Sequence, residues 1–307
     1  MKEVIKKKVL ITGALGQDGI IISKILKKQN FSVSGLIKKK NFNKKVSGLK
    51  YFVNDLKNKK KLKIVIDKIN PNFLIHFASI NDSHHNKKNN NYKKMYNQNV
   101  QMSKNLLDVI IKNNLKTKLI FAGSSQMFKK EKNKIVNEKS KFHSNHFYGK
   151  YKIFIHKYLM KLKKKYNLNA TTLILFNHDS GYRNKKFLIP RLAIAFKKKN
   201  KKFIQKIYKE NIKTDMSHAY DICNAIYLYL KTNKNYDKLV LSSGKLTAVN
   251  EIIFYLMKKT KFKIVFESKI KENKKTLLGN NSKAITCLRW KIKKNIFRAV
   301  DEILLNQ

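Results

Sequence analysis

Three glycines between an apolar segment and an amphipathic segment constrain the fold of this chain more than any other feature. Residues 12–19 read TGALGQDG, with glycines at positions 13, 16 and 19. They follow the apolar run Lys8–Thr12 and precede residues 19–29, where apolar residues recur at helical spacing. Glycines permit a tight turn, and the helix N-terminus then offers free N–H groups to a pyrophosphate. The pattern predicts a dinucleotide-binding loop, and the alternative is a loop that only turns the chain.

The first candidate cofactor-binding residues come from this loop: Gly13, Ala14, Leu15, Gly16, Gln17, Asp18 and Gly19. Lys38 and Lys39 follow the second apolar strand, where NAD would favour an acidic residue. Lysines there favour NADP, although NAD remains open because lysines are frequent throughout the chain. Asp55 and Leu56, which follow a third strand-like segment, are expected to cap the adenine. An ordinary turn aspartate is the alternative for Asp55.

Strand-like and helical segments alternate along the first two thirds of the chain. Predicted strands include residues 31–37, 73–77, 118–122, 170–175 and 238–242, and predicted helices include 60–69, 97–113, 148–166 and 219–231. This order predicts an α/β fold, a Rossmann-type doubly wound parallel sheet with a smaller, mostly C-terminal lobe. We expect residues 1–176 plus 212–243 to form the NADP-binding domain, and residues 177–211 plus 244–307 to form the substrate-binding lobe.

Charge is the most unusual feature of the composition. The 307 residues carry a net charge of +52, from 70 basic and 18 acidic residues. Only four basic residues are arginines, the type that reads phosphates and guanine in a bidentate way. We interpret the lysines as solvated surface with weak, nonspecific affinity for polyanions, and a surface selected to bind polyanions is the alternative. No specific nucleic-acid partner is expected.

The cysteines and the N-terminal region bear on the compartment. Cys223 and Cys287 have no CxxC partner, and we expect both to be buried, reduced thiols. The basic first eight residues precede an apolar run that is too short to span a membrane and has no small-residue cleavage site. These features predict a cytoplasmic protein without membrane contact.

A second motif supplies candidate catalytic residues. Ser124 follows a predicted strand, and Tyr148 and Lys152 stand four residues apart at the start of a predicted helix, hence on one face. A lysine ammonium lowers the pKa of a nearby phenol, so that Tyr148 can exchange a proton with a hydroxyl while a hydride moves to or from a nicotinamide. Ser124 would hold the same oxygen. An amphipathic helix with a core tyrosine is the alternative.

Several further motifs resemble the extended short-chain dehydrogenase/reductases, and within them the GDP-mannose 4,6-dehydratase family. They are ITGALGQDG (11–19), SSQMF (124–128), LFNHDSGYRNKKF (175–187), DMSHAYD (215–221), SSG (242–244), TLLGNNSKA (276–284) and LRWK (288–291). The resemblance implies an enzyme that uses NADP to oxidise a sugar nucleotide at C4. A carboxylate then removes the C5 proton, water leaves from C6, and the hydride returns to C6.

The resemblance also implies roles for individual residues. Further cofactor contacts would come from Lys38, Lys39, His178 and Arg183, and from the strand end that carries Phe77, Ala78 and Ser79. The nucleotide sugar, GDP-linked by resemblance, would contact Asn177, Phe187 and Arg191, and a salt-bridged surface residue is the alternative for Arg191. Members of the family pair through helices beside the active site, so we expect a homodimer or homotetramer.

Two positions depart from the family pattern. The family's catalytic glutamate is Gln126 here, and an amide cannot accept the C5 proton. Thr214 stands where the family has an arginine for the diphosphate, and Lys213 is a substitute. Three readings follow: a dehydratase relative with impaired or rerouted elimination, a C4 reductase or epimerase of a 4-keto-6-deoxy nucleotide sugar, and a non-catalytic protein that binds NADP or polyanions. The Gly-Ser-Ser context at 123–125 also resembles that of GDP-fucose synthase.

Metal chemistry has little support in the sequence. His84 and His85 are adjacent in a polar loop, and His143 with His146 lacks a third ligand at a suitable spacing. We therefore predict no metal site.

Overall fold

The computed structural model describes residues 6–38, 45–81, 91–113, 116–266, 270–272 and 275–306. Within these ranges a parallel sheet is covered by helices on both faces, and a further group of helices packs beside smaller sheets. The predicted Rossmann-type α/β class with an additional smaller lobe is confirmed. Among the predicted site residues, Lys39 lies outside the described residues.

The large sheet is parallel throughout. The strands in the described ranges are β1 (Lys8–Thr12), β2 (Ser32–Ile37), β3 (Lys50–Val53), β4 (Phe73–His76), β5 (Lys118–Ala122), β6 (Glu131–Lys132), β7 (Lys134–Val136), β8 (Ala170–Leu175), β9 (Asn177–Asp179), β10 (Lys213–His218), β11 (Lys238–Leu241), β12 (Leu246–Ala248) and β13 (Lys275–Gly279). Seven of them form the sheet, in the order β11-β8-β5-β4-β1-β2-β3. The remaining strands form two three-stranded sheets, β12-β10-β9 and β6-β13-β7.

Helices cover the large sheet on both faces. In the described ranges they are α1 (Gln17–Lys28), α2 (Lys59–Ile69), α3 (Asn91–Asn113), α4 (Phe147–Tyr166), α5 (Leu188–Lys197), α6 (Lys201–Lys209), α7 (Ala219–Lys231), α8 (Val249–Thr260), α9 (Ser282–Leu288) and α10 (Ile296–Leu305). Val9 and Ile11 of β1 belong to the core under α1 and α7, whereas Leu10 belongs to the core under α2, α3 and α4. Burial on both faces explains the uninterrupted apolar run of β1.

A separate hydrophobic core lies among α5, α8 and α10, with Ile204 of α6 and Met216 of β10. Trp290 and residues of α9 pack instead against the core of the large sheet, although the predicted division assigns them to the smaller lobe. The division of the chain into two domains therefore stays a prediction. None of the helices in the described ranges combines the length and apolar character that a membrane crossing requires.

Two local expectations need correction. The structure buries Cys223 but exposes Cys287. Ala284 and Leu288 are the core-facing residues of α9, so Cys287, one residue before Leu288, falls on the solvent side. In addition, α3 begins six residues before the predicted position 97, because Met95 is buried against the rest of the molecule although lysines and asparagines surround it in the sequence.

Candidate active site

The predicted dinucleotide loop adopts a conformation that requires its glycines. Gly13 has a φ of +71°, and a Cβ atom there would lie 2.9 Å from the backbone nitrogen of Ala78. A Cβ atom on Gly19 would lie 2.5 Å from the carbonyl oxygen of Gly13, so α1 packs directly against the loop. Gly16 is the N-cap of α1, and no side chain caps the helix in the described structure. The first N–H groups of α1 are therefore available to an anion.

A series of buried polar contacts, which the sequence analysis missed, begins at Thr12. Its Oγ1 lies 2.7 Å from Nδ1 of His76. Nε2 of His76 lies 3.0 Å from Oγ of Ser103, which lies 3.4 Å from Oη of Tyr151. Burial, and then the charge of Lys152, lower the pKa of His76 to about 3, so this imidazole is neutral. The contacts connect the end of β1 with β4, α3 and α4.

Asp18 is a carboxylate at the loop, and two partners hold it. Its Oδ1 lies 3.0 Å from Nε2 of His178 and accepts a 3.1 Å hydrogen bond from the Gln17 amide. Burial alone would raise the pKa of Asp18, but the charges of His178 and Arg183 and the hydrogen bonds to Asp18 lower it to about 2. Burial alone would lower the pKa of His178, and Asp18 raises it more. The pair favours an ionised aspartate and a protonated histidine.

The residues predicted for the adenosine end lie beyond the ends of β2 and β3. Nζ of Lys38 lies 3.6 Å from Oδ2 of Asp55, and both side chains are accessible to solvent. The Leu56 side chain is buried in the core, and its carbonyl accepts a hydrogen bond from Asn105. Lys38 thus lies directly after β2, with a carboxylate beside it.

A cavity of about 610 Å³ opens at the carboxyl ends of the central strands. The predicted site residues that line it are Leu15, Gly16, Gln17, Asp18, Phe77, Ser79, Ser124, Gln126, Tyr148, Lys152, Asn177, His178, Arg183, Phe187 and Arg191. Sequence reasoning missed further lining residues, among them Tyr182, Asn184, Lys186 and Ile207. Three of them lie in the segment before α5, and Ile207 lies on α6. The segment before α5 reads RNKK at 183–186, which resembles ordinary surface composition. Only folding shows that they face the cavity.

Tyr148 and Lys152 lie together at the start of α4, as predicted. Lys152 is 2% exposed, its Nζ donates a 2.6 Å hydrogen bond to the Ala122 carbonyl, and it lies 5.3 Å from the centre of the Tyr148 ring. Burial lowers the pKa of Lys152 to about 7, although the charge of Asp18 opposes this shift. Burial raises the pKa of Tyr148, which is opposite to the predicted direction, because loss of hydration outweighs the hydrogen bond with Ser79 and the charge of Arg183.

Two serines predicted for the site, Ser124 and Ser79, line the cavity, and Ser79 contacts the phenol. Ser124, at the end of β5, accepts a 3.2 Å hydrogen bond from the backbone N–H of Gln126 and begins a short 3-10 turn, Ser125–Met127. Ser79, predicted only as a cofactor contact, has its Oγ 3.4 Å from Oη of Tyr148. A hydrogen bond between Ser79 and Tyr148 lowers the pKa of the phenol and partly opposes the effect of burial.

Carboxylates are scarce around the cavity. Gln126 lines it, and Asp18 is the only Asp or Glu among the described lining residues. Glu131 pairs with Lys134 at 2.8 Å, and Glu138 accepts a hydrogen bond from the backbone N–H of Val240, so both are used elsewhere. The described lining therefore holds no carboxylate near Gln126 that could replace the family's glutamate.

The opposite wall of the cavity is rich in cations and aromatic rings. The Arg183 guanidinium lies 3.6 Å from the ring centre of Phe187, and its Nε lies 2.7 Å from Oδ1 of Asp179. The Asn177 amide donates a 2.8 Å hydrogen bond to Oγ1 of Thr214, the residue that replaces the family's arginine. Such a wall suits a ligand with phosphates and a nucleobase.

Histidines in the described ranges have protein partners. Nε2 of His143 lies 3.1 Å from Oδ1 of Asn145, and His218 accepts a hydrogen bond at the N-terminus of α7. Within the described residues, no group of three or more His, Cys, Asp or Glu side chains is arranged to hold a metal ion. His84 and His85 lie outside the described residues.

Comparisons with known proteins match nearly the whole chain. The sequence model of the GDP-mannose 4,6 dehydratase family matches residues 10–304. A UDP-glucose 4-epimerase of Mycoplasma genitalium is 26% identical over 95% of this chain and 93% of its own length. A GDP-mannose 4,6 dehydratase of Dictyostelium discoideum is 24% identical over 97% of this chain and 95% of its own length. The similar relatives thus carry the names of two different reactions.

The fold also matches solved structures. A dTDP-glucose 4,6-dehydratase of Bacillus anthracis, in complex with NAD, superposes with a TM-score of 0.81 and 15% identity over 98% of this chain and 96% of that chain. At this identity the likeness establishes the shared fold alone.

Proposed function

The chain belongs to the GDP-mannose 4,6 dehydratase family, and from that premise we propose that it is a nicotinamide-dependent C4 epimerase of nucleotide sugars. The reaction would oxidise C4, reduce it again from the other face, and leave C5 and C6 unchanged. The second candidate is 4,6-dehydration, the reaction after which the family is named and the first of the three readings of the sequence. Both share the C4 oxidation step.

The loop residues fit a dinucleotide. Gly13 and Gly19 leave no space for a side chain where the chain passes Ala78 and α1, and Gly16 leaves the helix N-terminus uncapped. When bound, a nicotinamide dinucleotide would supply the hydride acceptor and donor for C4. The solved dehydratase of Bacillus anthracis, which holds NAD, supports this class of cofactor.

The residues at the start of α4 would handle the proton. We assign Tyr148 the transfer of the proton of the C4 hydroxyl, because its phenol lies at the cavity and the buried amine of Lys152 lies beside it. Ser124 would donate a hydrogen bond to the same sugar oxygen, and Ser79 would donate one to the phenolate. Lys152 is held in place by the Ala122 carbonyl.

One observation favours epimerisation over dehydration: the described lining of the cavity offers no carboxylate near Gln126. Asp18, the carboxylate that does line it, is held by His178 and Gln17 at the dinucleotide loop. Its pKa of about 2 makes it a weak base. Oxidation and reduction at C4 need no carboxylate. The family match and the dehydratase of Dictyostelium discoideum are what favour the second candidate.

For the cofactor we propose NADP in preference to NAD. Lys38 follows β2 directly, and a lysine there attracts a 2′-phosphate, whereas an acidic residue would favour the hydroxyl of NAD. The ion pair with Asp55 weakens this preference and leaves NAD as the alternative. Titration of the protein with both cofactors tests the proposal, and tighter binding of NAD would overturn it.

We also propose a homodimer that acts in the cytoplasm, with a homotetramer as the alternative. The outer faces of α3 and α4 carry partly exposed rings, and Phe147 and Phe154 are each 40% exposed. Tyr92 stacks on Phe147 with ring centres 6.1 Å apart, and Phe154 stacks on Tyr158. An aromatic surface of this kind favours contact with a second chain. Sedimentation analysis tests it, and a monomer at micromolar concentration would overturn it.

The reaction is tested by incubating the purified protein with NADP or NAD and, separately, UDP-linked and GDP-linked sugars. We expect a product of unchanged mass whose C4 configuration is inverted, as measured by mass spectrometry and NMR. Loss of water by the native protein would support the dehydratase and overturn epimerisation. No change at C4 with any sugar would overturn both.

Gln126→Glu, measured alongside, separates the two candidates further. It restores the carboxylate that the family uses, so gain of dehydration by this variant alone would show that the redox step is intact and only the base is missing. Gln101→Glu is the matched control, because it makes the same change of charge on an exposed position of α3.

A further inference from the structure

Gln126 suits the cavity to a sugar with a negatively charged C6, and we propose that the substrate class is a nucleotide uronate, in which C6 is a carboxylate. The inference deepens the proposed function and rests on it. Gln126 lines the same cavity as Tyr148, and its backbone carbonyl lies against Gly149, the residue after Tyr148, so we place the C5 and C6 end of a sugar bound for C4 chemistry beside residue 126. It goes beyond the reaction type to the group that this side chain recognises.

The backbone of Gln126 is held firmly. Its N–H donates to Oγ of Ser124, and its carbonyl packs so closely on α4 that a Cβ atom on Gly149 would lie 2.2 Å from it. The side chain lines the cavity. Among the described residues, no protein group forms a hydrogen bond with the Gln126 amide. Both amide hydrogens are therefore available to a ligand, on a side chain whose backbone is fixed.

The charge of the cavity favours an additional anion. Four Lys or Arg side chains line its described part, Lys152, Lys186, Arg183 and Arg191, against a single carboxylate, Asp18. Asp18 is compensated by His178 at 3.0 Å, and Asp179 compensates Arg183. The diphosphate of a nucleotide sugar brings two negative charges, and a carboxylate on the sugar would add a third. The lining offers it cations and amide donors and one carboxylate, Asp18, which His178 already pairs.

An amide and a carboxylate at position 126 select opposite groups at C6. A glutamate there would repel a C6 carboxylate and accept a hydrogen bond from a C6 hydroxyl. Gln126 donates N–H groups to a carboxylate, and such charge-assisted bonds are stronger than neutral ones. The substitution that removes the base for elimination also removes the repulsion of a uronate.

The chemistry of a uronate makes this contact useful. Oxidation at C4 removes a hydride from C4 and the proton from its hydroxyl, which leaves a ketone. The C6 carboxylate is then β to that ketone, and carbon dioxide is lost when the electron pair of the C5–C6 bond moves toward the C4 oxygen. Hydrogen bonds from Gln126 hold negative charge on the carboxylate and oppose this loss. Return of the hydride to the other face gives the C4 epimer with all carbons retained.

The test compares matched sugars that differ only at C6: UDP-glucose with UDP-glucuronate, and GDP-mannose with GDP-mannuronate. Calorimetry measures binding, and NMR measures epimerisation. We expect the native protein to bind one of the uronates about tenfold or more tighter than its neutral partner. Gln126→Glu is expected to reverse this ratio, and the control Gln101→Glu to leave it unchanged.

Gln126→Met keeps the size of the side chain but removes its hydrogen-bond donors, and it is expected to abolish the preference without reversing it. Circular dichroism confirms that each variant folds. Equal or weaker binding of both uronates by the native protein would overturn the inference, as would a ratio that Gln126→Glu does not change. A uronate preference in binding without any C4 epimerisation would overturn the proposed reaction and leave the substrate class standing. Epimerisation of neutral sugars alone would support the proposed reaction and overturn the uronate substrate class.

Discussion

The two walls of the cavity are built in different ways. On the redox wall, Lys152 is 2% exposed and hydrogen-bonded to Ala122, and the contacts of His76 lie directly behind it. On the substrate wall, Lys186 is exposed on an irregular segment and Arg183 stands over Phe187. A buried network constrains its members mutually, whereas an exposed loop does not. Gln126 and Thr214, which depart from the family pattern, do not lie on that loop: Gln126 is in the turn after β5, and Thr214 is buried in β10. We therefore expect changes on the redox wall to affect the chemical step and changes at Lys186 to affect binding.

The largest effect is expected from removal of the phenol oxygen. Tyr148→Phe should lower turnover about 10²- to 10⁴-fold, because no other group would exchange the C4 proton. Cofactor affinity should change little, since the loop is untouched. Stopped-flow measurement of hydride transfer and titration with cofactor check this. Tyr158→Phe, on the same helix, is the matched control, and a comparable loss there would mean that Tyr148 has no special role.

The His76 network is expected to make the redox wall sensitive to acid. The folded-state pKa of His76 is about 3 and its ordinary value is 6.5, so the unfolded chain takes up the proton first. The contribution of His76 to the free energy of unfolding should therefore be constant above pH 6.5 and fall by about 1.4 kcal/mol per pH unit as the pH drops toward 3. His156, whose pKa burial lowers to about 4, adds a similar term.

Urea unfolding of the native protein and of His76→Gln as a function of pH checks this expectation. Below pH 6.5, the free energy of unfolding of the variant should fall less steeply with decreasing pH, by the slope that one proton contributes. Above pH 6.5, the two curves should run parallel. Identical slopes in both proteins would show that His76 is not the buried neutral base that the geometry indicates.

On the substrate wall, a change should affect binding more than chemistry. Lys186→Ala removes a cation that lines the cavity and is expected to raise KM for a nucleotide sugar about fivefold with kcat nearly unchanged, because the lost attraction acts equally on substrate and transition state. Lys185→Ala, its neighbour outside the described lining, should leave KM unchanged. A fall in kcat for Lys186→Ala would contradict the assignment of binding to the substrate wall and chemistry to the redox wall.

The smallest effect is expected from Ser79→Ala. Loss of its hydrogen bond should raise the pKa of Tyr148, so that less phenolate is present at a given pH. The acid limb of the rate profile should move up by about half a pH unit to one unit, with little loss at the alkaline optimum. Ser125→Ala is the control for a serine that lines the cavity without contacting the phenol. An unmoved acid limb in Ser79→Ala would mean that the contact with Tyr148 is passive.

Local pattern made much of the fold and part of the site predictable. The strand, glycine loop and helix at residues 8–28 and the four-residue spacing of Tyr148 and Lys152 depend on neighbours in sequence. His76 was predictable only as part of a strand, because its partners Ser103 and Thr12 are 27 and 64 residues away. Lys186 lies within the quoted motif 175–187, but nothing in the sequence shows that it lines the cavity while Lys185 does not.

The sequence by itself determined the parallel α/β class, the dinucleotide loop and the Ser, Tyr and Lys set, because hydrophobic period, glycine spacing and helical spacing act over a few residues. The tertiary structure alone decided which charges meet. It brought Asp18 to His178, 160 residues apart, buried Lys152 deeply enough to lower its pKa to about 7, and placed Gln126 in the same cavity lining as Tyr148. Burial and long-range contact set these properties, and both exist only once the chain has folded.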